Sequence, residues 1–317
     1  MKETIFSLEP LSYDLVSLVK QQTNFDIYFV DRITLDLPQN SETVKIIICR
    51  DRDNIDALLD NCPNLLFLFI VSVGIEKLPF KRLIERNVTV ANVGGINARI
   101  MSEYTIGAIL QFSARFKENV LNQSKHYWKK YQCVDSLFGK KLMIVGAGRT
   151  GKLIAEKASA FGMACIGVKK HFESVEYFDE IITLDEWKNI LPFVDFVVST
   201  IPLTQETFHL FNSEIFHLMN SKSVFINISR GNIVNQEELL EACKHNEIAG
   251  AVLDVFEKEP LDSNNELWDL PNVIITPHSS GRLEDFMKQA INLFIENINA
   301  FFAGQPLPNK IKLTNGY

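Results

Sequence analysis

Three glycines in one short segment, Gly146, Gly148 and Gly151, are spaced so that the main chain could hold a phosphate group. The apolar run 142–145 leads directly into the first glycine, and the helix-forming segment 152–160 follows the third. This order of strand, turn and helix lets a pyrophosphate lie against the amide groups at the start of the helix. The pattern therefore predicts a dinucleotide site, although the same spacing also occurs in strand-to-helix turns that bind no ligand.

Each position in this segment has its own predicted task. Gly146 would permit the tight turn, Gly148 would let the main chain approach the pyrophosphate, and Gly151 would let helix and strand pack closely. Arg149 and Thr150 lie between the last two glycines and would belong to the same cofactor site.

The next apolar run, 164–168, is followed by two cations, Lys169 and Lys170. In a site selective for NAD, the end of this strand carries an Asp or Glu that binds the ribose 2′-hydroxyl. Lysines would instead attract the 2′-phosphate of NADP. We therefore expect NADP to be preferred and NAD to be possible. The alternative is that both lysines are solvated surface residues.

Three polar side chains follow the late strands of the predicted sheet. Arg230 follows the run 223–228, Glu259 follows 251–255, and His278 follows 273–276. The carboxyl ends of strands in an open α/β sheet face the ligand crevice, so these side chains should converge near the reactive end of a dinucleotide. Taken singly, each could be a surface or structural residue.

Together, the three side chains suit a 2-oxoacid substrate. A guanidinium binds a carboxylate through two parallel hydrogen bonds. A histidine can give a proton to a carbonyl oxygen as hydride reaches the carbon. A carboxylate behind the histidine fixes its tautomer and favours its protonated form.

The composition of the 317-residue chain fits an ordinary globular protein with two domains. A net charge of −7 and a pI near 5.5 argue against nucleic acid and anionic membranes as partners. The apolar runs are too short to cross a bilayer, and the N-terminus lacks a signal-peptide pattern. The five cysteines include no Cys-x-x-Cys pair, so we expect no metal site, no disulfide framework and a cytoplasmic location.

Strand-like runs alternate with helical runs along the whole chain, which predicts parallel sheets. The runs fall into two series that are separated by a helical stretch, 98–122. The predicted strands of the first series are 44–49, 65–71 and 88–93, and those of the second are 142–145, 164–168, 181–184, 196–201, 223–228, 251–255 and 273–276.

An amphipathic helix is predicted after His278, because apolar residues recur at three- and four-residue steps until Gly304. We expect this helix to cross back to the first series of strands. The predicted fold is α/β, with a Rossmann-type doubly wound parallel sheet over 96–282. A smaller, discontinuous, flavodoxin-like α/β domain over 1–95 and 283–317 would bind the substrate, with a cleft between the two domains.

Several motifs together resemble the D-isomer-specific 2-hydroxyacid dehydrogenase family. Further details, namely Trp128, the lysine pair and the Gly-Tyr end of the chain, look most like its glyoxylate/hydroxypyruvate reductase branch. The matching motifs are VGAGRTG at 145–151, PLTQET at 202–207, INISRG at 226–231, LDVFEKEP at 253–260 and TPH at 276–278.

The resemblance implies roles for individual residues. Arg230 would hold the substrate carboxylate, and Glu259 would be the partner of His278, the acid/base. Val73 and Gly74 would donate backbone amides to the substrate carboxylate. The further cofactor contacts that it implies are Pro202, Thr207, Ile228, Ser280 and Asp254, the last facing the nicotinamide carboxamide.

The sequence departs from the family pattern in two places. The usual Asp at position 169 is lysine, and the usual Pro-Gly after the third early strand is Gly94-Gly95. We therefore expect an NADPH-preferring reductase of small 2-oxoacids, such as glyoxylate or hydroxypyruvate. The alternatives are a dinucleotide-sensing, corepressor-like binding protein and a dehydrogenase of another small anion, such as formate or phosphite.

An aromatic segment between the two series contains Tyr127, Trp128 and Tyr131. An exposed aromatic cluster of this kind marks a surface that contacts another part of the protein or a partner. Either it packs on its own subunit, or the protein is a homodimer in which Trp128 walls the substrate pocket of the partner. The resemblance favours the homodimer.

Overall fold

The chain folds into two compact units, each built around a parallel sheet. One unit comprises Met1–Ile96 and Leu283–Tyr317, and the other comprises Asn97–Arg282. Across the described ranges, no helix is both long and apolar enough to span a membrane. The computed structural model describes residues 4–23, 25–37, 41–75 and 77–315. The Gly-Tyr end, residues 316–317, lies outside them.

Within the described part of the first unit, five strands form one sheet: β1 (Thr4–Ser7), β2 (Asp26–Phe29), β3 (Ile46–Cys49), β4 (Phe67–Ile70) and β5 (Thr89–Asn92). Their order is β2-β1-β3-β4-β5 and every pair is parallel, which is the flavodoxin-like arrangement predicted. All residues of β3 and β4 are buried, as expected for strands covered on both faces.

The helices of the first unit include the last long helix of the chain, which packs on the sheet. Its apolar residues Ile291, Phe294 and Ile298 are fully buried, and the ring of Phe294 meets that of Phe69 edge-on at 5.3 Å. This apolar stripe joins the C-terminal segment to the N-terminal sheet. The helices are α1 (Tyr13–Thr23), α2 (Ile55–Asn61), α3 (Phe80–Glu85) and α10 (Phe286–Phe302).

In the second unit, which is described throughout, seven strands form one parallel sheet: β6 (Lys141–Val145), β7 (Ala164–Lys169), β8 (Glu180–Thr183), β9 (Phe196–Ser199), β10 (Val224–Asn227), β11 (Gly250–Leu253) and β12 (Val273–Ile275). Their order is β12-β11-β10-β9-β6-β7-β8. This is the doubly wound order with one added strand, so the predicted Rossmann-type fold is confirmed. The order reverses between β6 and β9, where such sheets bind their ligands.

The predicted single helix over 98–122 is wrong, because the structure divides it. The chain turns at Arg115, whose φ of 54° is left-handed and whose amide bonds to the carbonyl of Phe112. No glycine or proline marks this break in the sequence. The helices of the unit are α4 (Ala98–Ser113), α5 (Phe116–Ser124), α6 (Arg149–Ala160), α7 (Trp187–Ile190), α8 (Ser213–Leu218) and α9 (Gln236–Lys244).

Candidate active site

The turn after β6 has the geometry that its three glycines predict. Gly146 has a φ of +113°, and a Cβ there would lie 2.7 Å from Thr200 Oγ1. A Cβ at Gly151 would lie 2.4 Å from the carbonyl oxygen of Gly146, so helix and strand pack too closely for a side chain. A Cβ at Gly148 would meet nothing within 4 Å, which leaves the main chain open to a ligand.

Helix α6 begins at Arg149, directly after this turn. Gly148 caps the helix with extended backbone and without a side-chain hydrogen bond. Arg149 is exposed and Thr150 is half-buried in the first turn of the helix. A helix N-terminus with an open glycine in front of it suits a pyrophosphate, so this turn fits a dinucleotide.

The two lysines expected at the ribose lie where the sequence predicts, but each contacts a carboxylate. Lys169 is the last residue of β7, and its Nζ lies 2.5 Å from Glu173 Oε2. Lys170 Nζ lies 2.9 Å from Glu206 Oε2. Sequence reasoning missed both acidic partners.

The loop after β9 carries Pro202 and Thr207, which hydrogen bonds within the loop hold together. Thr207 Oγ1 donates to the carbonyl oxygen of Pro202 at 2.7 Å and accepts from the amide of Thr204 at 2.8 Å. Ile228, by contrast, is 2% exposed, and its side chain belongs to a buried apolar cluster of this unit that includes Ile144 and Ile154. Any contact of Ile228 with a cofactor would therefore involve mainly its backbone.

His278 and Glu259 form the central pair of the site. His278 Nδ1 lies 2.7 Å from Glu259 Oε2, and Glu259 Oε1 accepts the amide of Phe256 at 3.1 Å. Because a carboxylate only accepts, Nδ1 carries the proton of this hydrogen bond. His278 has a φ of 50°, in the left-handed region.

Asp254 holds the turn that carries the histidine. It is fully buried, and its two oxygens accept the amides of Ser279 and Ser280 at 2.8 and 2.9 Å. It also accepts the hydroxyl of Thr276 at 2.5 Å, and its own carbonyl accepts the amide of His278 at 2.8 Å. The family resemblance implies that Asp254 contacts the nicotinamide carboxamide. In the structure, its carboxylate accepts hydrogen bonds from the turn that carries His278.

Arg230 lies in the loop after β10, next to a residue that cannot carry a side chain. Asn227 Nδ2 donates to the Arg230 carbonyl at 3.0 Å, and Arg230 Nη1 donates to the Ser229 carbonyl at 2.8 Å. A Cβ at Gly231 would lie 1.9 Å from the carbonyl carbon of Phe256. This contact fixes the arginine loop against the loop that leads to the glutamate.

The strand register places the loops that carry Arg230, Glu259 and His278 at one edge of the sheet. Strands β10, β11 and β12 are neighbours, and Asn227 pairs with Leu253, which pairs with Ile275. The chain therefore leaves all three strands at one level, about 4.8 Å apart from strand to strand. This arrangement can bind a carboxylate through a guanidinium and move a proton through an imidazole.

In the first unit, Val73 and Gly74 follow β4 in a loop that polar contacts hold. Ser72 Oγ donates to Asp51 Oδ1 at 2.9 Å, and Asn92 Nδ2 donates to the Val73 carbonyl at 3.0 Å. Val73 is 44% exposed.

A buried carboxylate braces the neighbouring loop of this unit. Glu9 is 2% exposed and accepts two hydrogen bonds of 2.8 Å from Arg50, and it also pairs with Arg32. Burial alone would raise the pKa of Glu9, but the two guanidinium groups hold that pKa below its ordinary value.

The aromatic segment is largely exposed in the single chain. Trp128 is 88% exposed, Tyr131 is 86% exposed and Tyr127 is 59% exposed. Contact between this segment and a partner subunit in a homodimer stays a prediction.

The fold and the site define a dinucleotide-dependent oxidoreductase of the doubly wound α/β class. Residues 106–280 match the family described as D-isomer specific 2-hydroxyacid dehydrogenase, NAD binding domain. The chain belongs to the D-isomer specific 2-hydroxyacid dehydrogenase family, so the resemblance is confirmed and the protein is an NAD(P)-dependent enzyme that reduces 2-oxoacids.

Known proteins are similar to this chain in sequence or in fold over most of their length. The hydroxyphenylpyruvate reductase of Plectranthus scutellarioides is 31% identical over 277 residues, which cover 86% of each chain. The glyoxylate reductase of Thermofilum pendens is 30% identical over 281 residues, covering 86% of this chain and 83% of that protein. An NADPH-dependent glyoxylate/hydroxypyruvate reductase from Sinorhizobium meliloti, solved with NADP and sulfate, shares the fold, with a TM-score of 0.82, 23% identity and coverage of 100% of both chains.

Proposed function

We propose that this enzyme reduces small 2-oxoacids, with glyoxylate and hydroxypyruvate as the leading substrates, to D-2-hydroxyacids, and that it prefers NADPH. The observation that carries the proposal is the contact of 2.7 Å between His278 Nδ1 and Glu259 Oε2. When bound, the reduced cofactor supplies the hydride. The relatives named for glyoxylate and hydroxyphenylpyruvate reduction support a 2-oxoacid substrate.

The side chains of the site bind the substrate and transfer the proton. Arg230 holds the substrate carboxylate through its planar guanidinium. His278 Nε2 gives a proton to the carbonyl oxygen, while Glu259 stabilises the imidazolium form that donates it.

The cofactor preference rests on Lys169 and Lys170. Their ammonium groups lie at the end of β7, where the ribose of a bound dinucleotide would be, and a 2′-phosphate would bind them through charge-assisted hydrogen bonds. The Sinorhizobium reductase, which shares this fold, was solved with NADP.

A panel of 2-oxoacids assayed with NADPH and NADH tests the proposal. We expect glyoxylate or hydroxypyruvate to have the highest kcat/KM, and NADPH to exceed NADH. If no 2-oxoacid of the panel causes oxidation of NADPH or NADH, the substrate assignment is refuted. The panel also separates the alternatives: a sensor protein would oxidise no cofactor, and a formate or phosphite dehydrogenase would reduce NAD(P)⁺ with those anions.

A further inference from the structure

Four charged side chains at the end of β7 and in the segments that follow β7 and β9 form two ion pairs, Lys169 with Glu173 and Lys170 with Glu206. Both Glu206 oxygens are within reach of the lysine, at 2.9 and 3.2 Å. The hydrogen bond from Lys169 holds the pKa of Glu173 below its ordinary value. The formal charge of these four groups is zero, so the lysines do not present two uncompensated cations to a ligand.

The second pair crosses over the strand that begins the glycine turn. Lys170 follows β7, and Glu206 lies in the loop after β9. Strand β6 lies between β7 and β9, so the pair joins elements two strand spacings apart, roughly 10 Å. Ligands of such sheets lie outside the carboxyl ends of these strands. The pair therefore spans the region where the adenosine half of a dinucleotide binds.

Both pairs are weak enough to exchange partners. The side chains of Glu173 and Glu206 are 70% and 72% exposed, and exposed ion pairs contribute little to stability. A 2′-phosphate can replace the carboxylates on the lysines, but it must then lie beside two displaced negative charges. A ribose 2′-hydroxyl has no such conflict, because it can donate a hydrogen bond to a carboxylate.

We propose that Glu173 and Glu206 are specificity-determining residues that limit the preference of this enzyme for NADPH over NADH, because they compete with the 2′-phosphate for Lys169 and Lys170. This inference rests on the proposed position of the cofactor. It deepens the proposed function by naming the groups that oppose the lysines.

The test measures binding of two adenosine fragments that differ only in the 2′-phosphate: adenosine 2′,5′-bisphosphate and 5′-AMP. Calorimetry gives the Kd of each fragment for the wild type and for the Glu173→Gln, Glu206→Gln and double variants. We expect each substitution to tighten binding of the bisphosphate about two- to fivefold. Binding of 5′-AMP should stay unchanged or weaken, and the effect should shrink at high salt.

A matched control removes a similar ion pair elsewhere in the same unit. Lys188 Nζ lies 2.6 Å from Glu214 Oε1, and these side chains are 43% and 62% exposed. Glu214→Gln changes the net charge by the same amount, so it should leave the ratio of the two Kd values unchanged. An equal shift in this control would show a general charge effect and overturn the inference.

One other outcome also overturns it: an unchanged ratio of the two Kd values in both glutamate variants, whether neither Kd changes or both change in parallel. The result is distinguishable from failure of the proposed function. If the wild type prefers NADH, the proposed NADPH preference is wrong, yet a selective gain for the bisphosphate in the glutamine variants still supports the inference. If the wild type prefers NADPH and the variants show no selective gain, only the inference fails.

Discussion

Replacing Glu259 with glutamine tests how much the carboxylate contributes to proton transfer. The amide has nearly the same shape and keeps an oxygen that can accept the Phe256 amide, but it removes the charge 2.7 Å from His278 Nδ1. A hydrogen bond to a charged group contributes about 1.5–3 kcal/mol. The two side chains are 48% and 36% exposed, and solvent screening favours the lower end of that range.

A loss of about 1.5 kcal/mol corresponds to a roughly tenfold fall in kcat. Steady-state rates at a fixed pH measure this fall, and the Kd of the reduced cofactor is measured beside them. We expect the cofactor Kd to stay near the wild-type value.

Two controls separate proton transfer from folding. His278→Ala should lower kcat by about 10²–10⁴-fold, and adding Glu259→Gln to it should cause little further loss, because the carboxylate then has no imidazole to stabilise. A second histidine–carboxylate pair, His209 with Glu257 at 3.1 Å, offers the matched variant Glu257→Gln, which should retain activity. An equal loss from Glu259→Gln with and without His278 would show that Glu259 only braces its turn, and would refute the reasoning.

Four further predictions concern other parts of the molecule. Arg230→Lys should lower kcat/KM at least tenfold, because lysine lacks the planar fork; full activity in steady-state assays would mean that charge alone suffices. Gly231→Ala should cost about 1–3 kcal/mol or more in a denaturant titration, since its Cβ would lie 1.9 Å from main-chain carbon, and unchanged stability would contradict this packing. Glu9→Gln should cost about 1.5–3 kcal/mol at neutral pH, because it removes the charged acceptor of the Arg50 hydrogen bonds while the Arg50 side chain stays 31% exposed. Since the pKa of Glu9 is lowered in the fold, its contribution is present above the ordinary value of 4.5 and is lost as the pH falls through the folded-state pKa. Thermal melts should therefore show a smaller acid-induced loss in this variant, and an equal loss would exclude Glu9 as a source. Ultracentrifugation should find a dimer, and Trp128→Ala should raise KM for glyoxylate or admit bulkier 2-oxoacids; a monomer with an unchanged substrate range would reject a role in a partner's pocket.

The sequence predicts those features that depend on local backbone requirements or on strand order. Gly146 and Gly151 could be assigned because a tight turn and a close helix–strand contact admit no other residue, and the Cβ positions bear this out. The contact between His278 and Glu259 follows from parallel strands, whose carboxyl ends share an edge.

Other features escape prediction because they depend on contacts distant in sequence or lack a periodic signal. Strands β1 and β2 are as short as β3 and β4 but lack their continuous apolar run, and the last two side chains of β2 are exposed. The break at Arg115 carries no glycine or proline. The partner of Lys170 lies 36 residues away, in a loop that only the strand order brings near.

Predicting which residues follow the strands identifies His278, but it does not identify the residues that hold His278 in position. His278 adopts a left-handed φ that a non-glycine residue holds only where its surroundings impose it. Those surroundings are the buried carboxylate and carbonyl of Asp254, which accept the amides of Ser279, Ser280 and His278. A buried charge is retained only when it is fully hydrogen-bonded, so the turn and the carboxylate stabilise each other. The direction of the imidazole toward Glu259 therefore depends on an aspartate that a substrate never needs to touch.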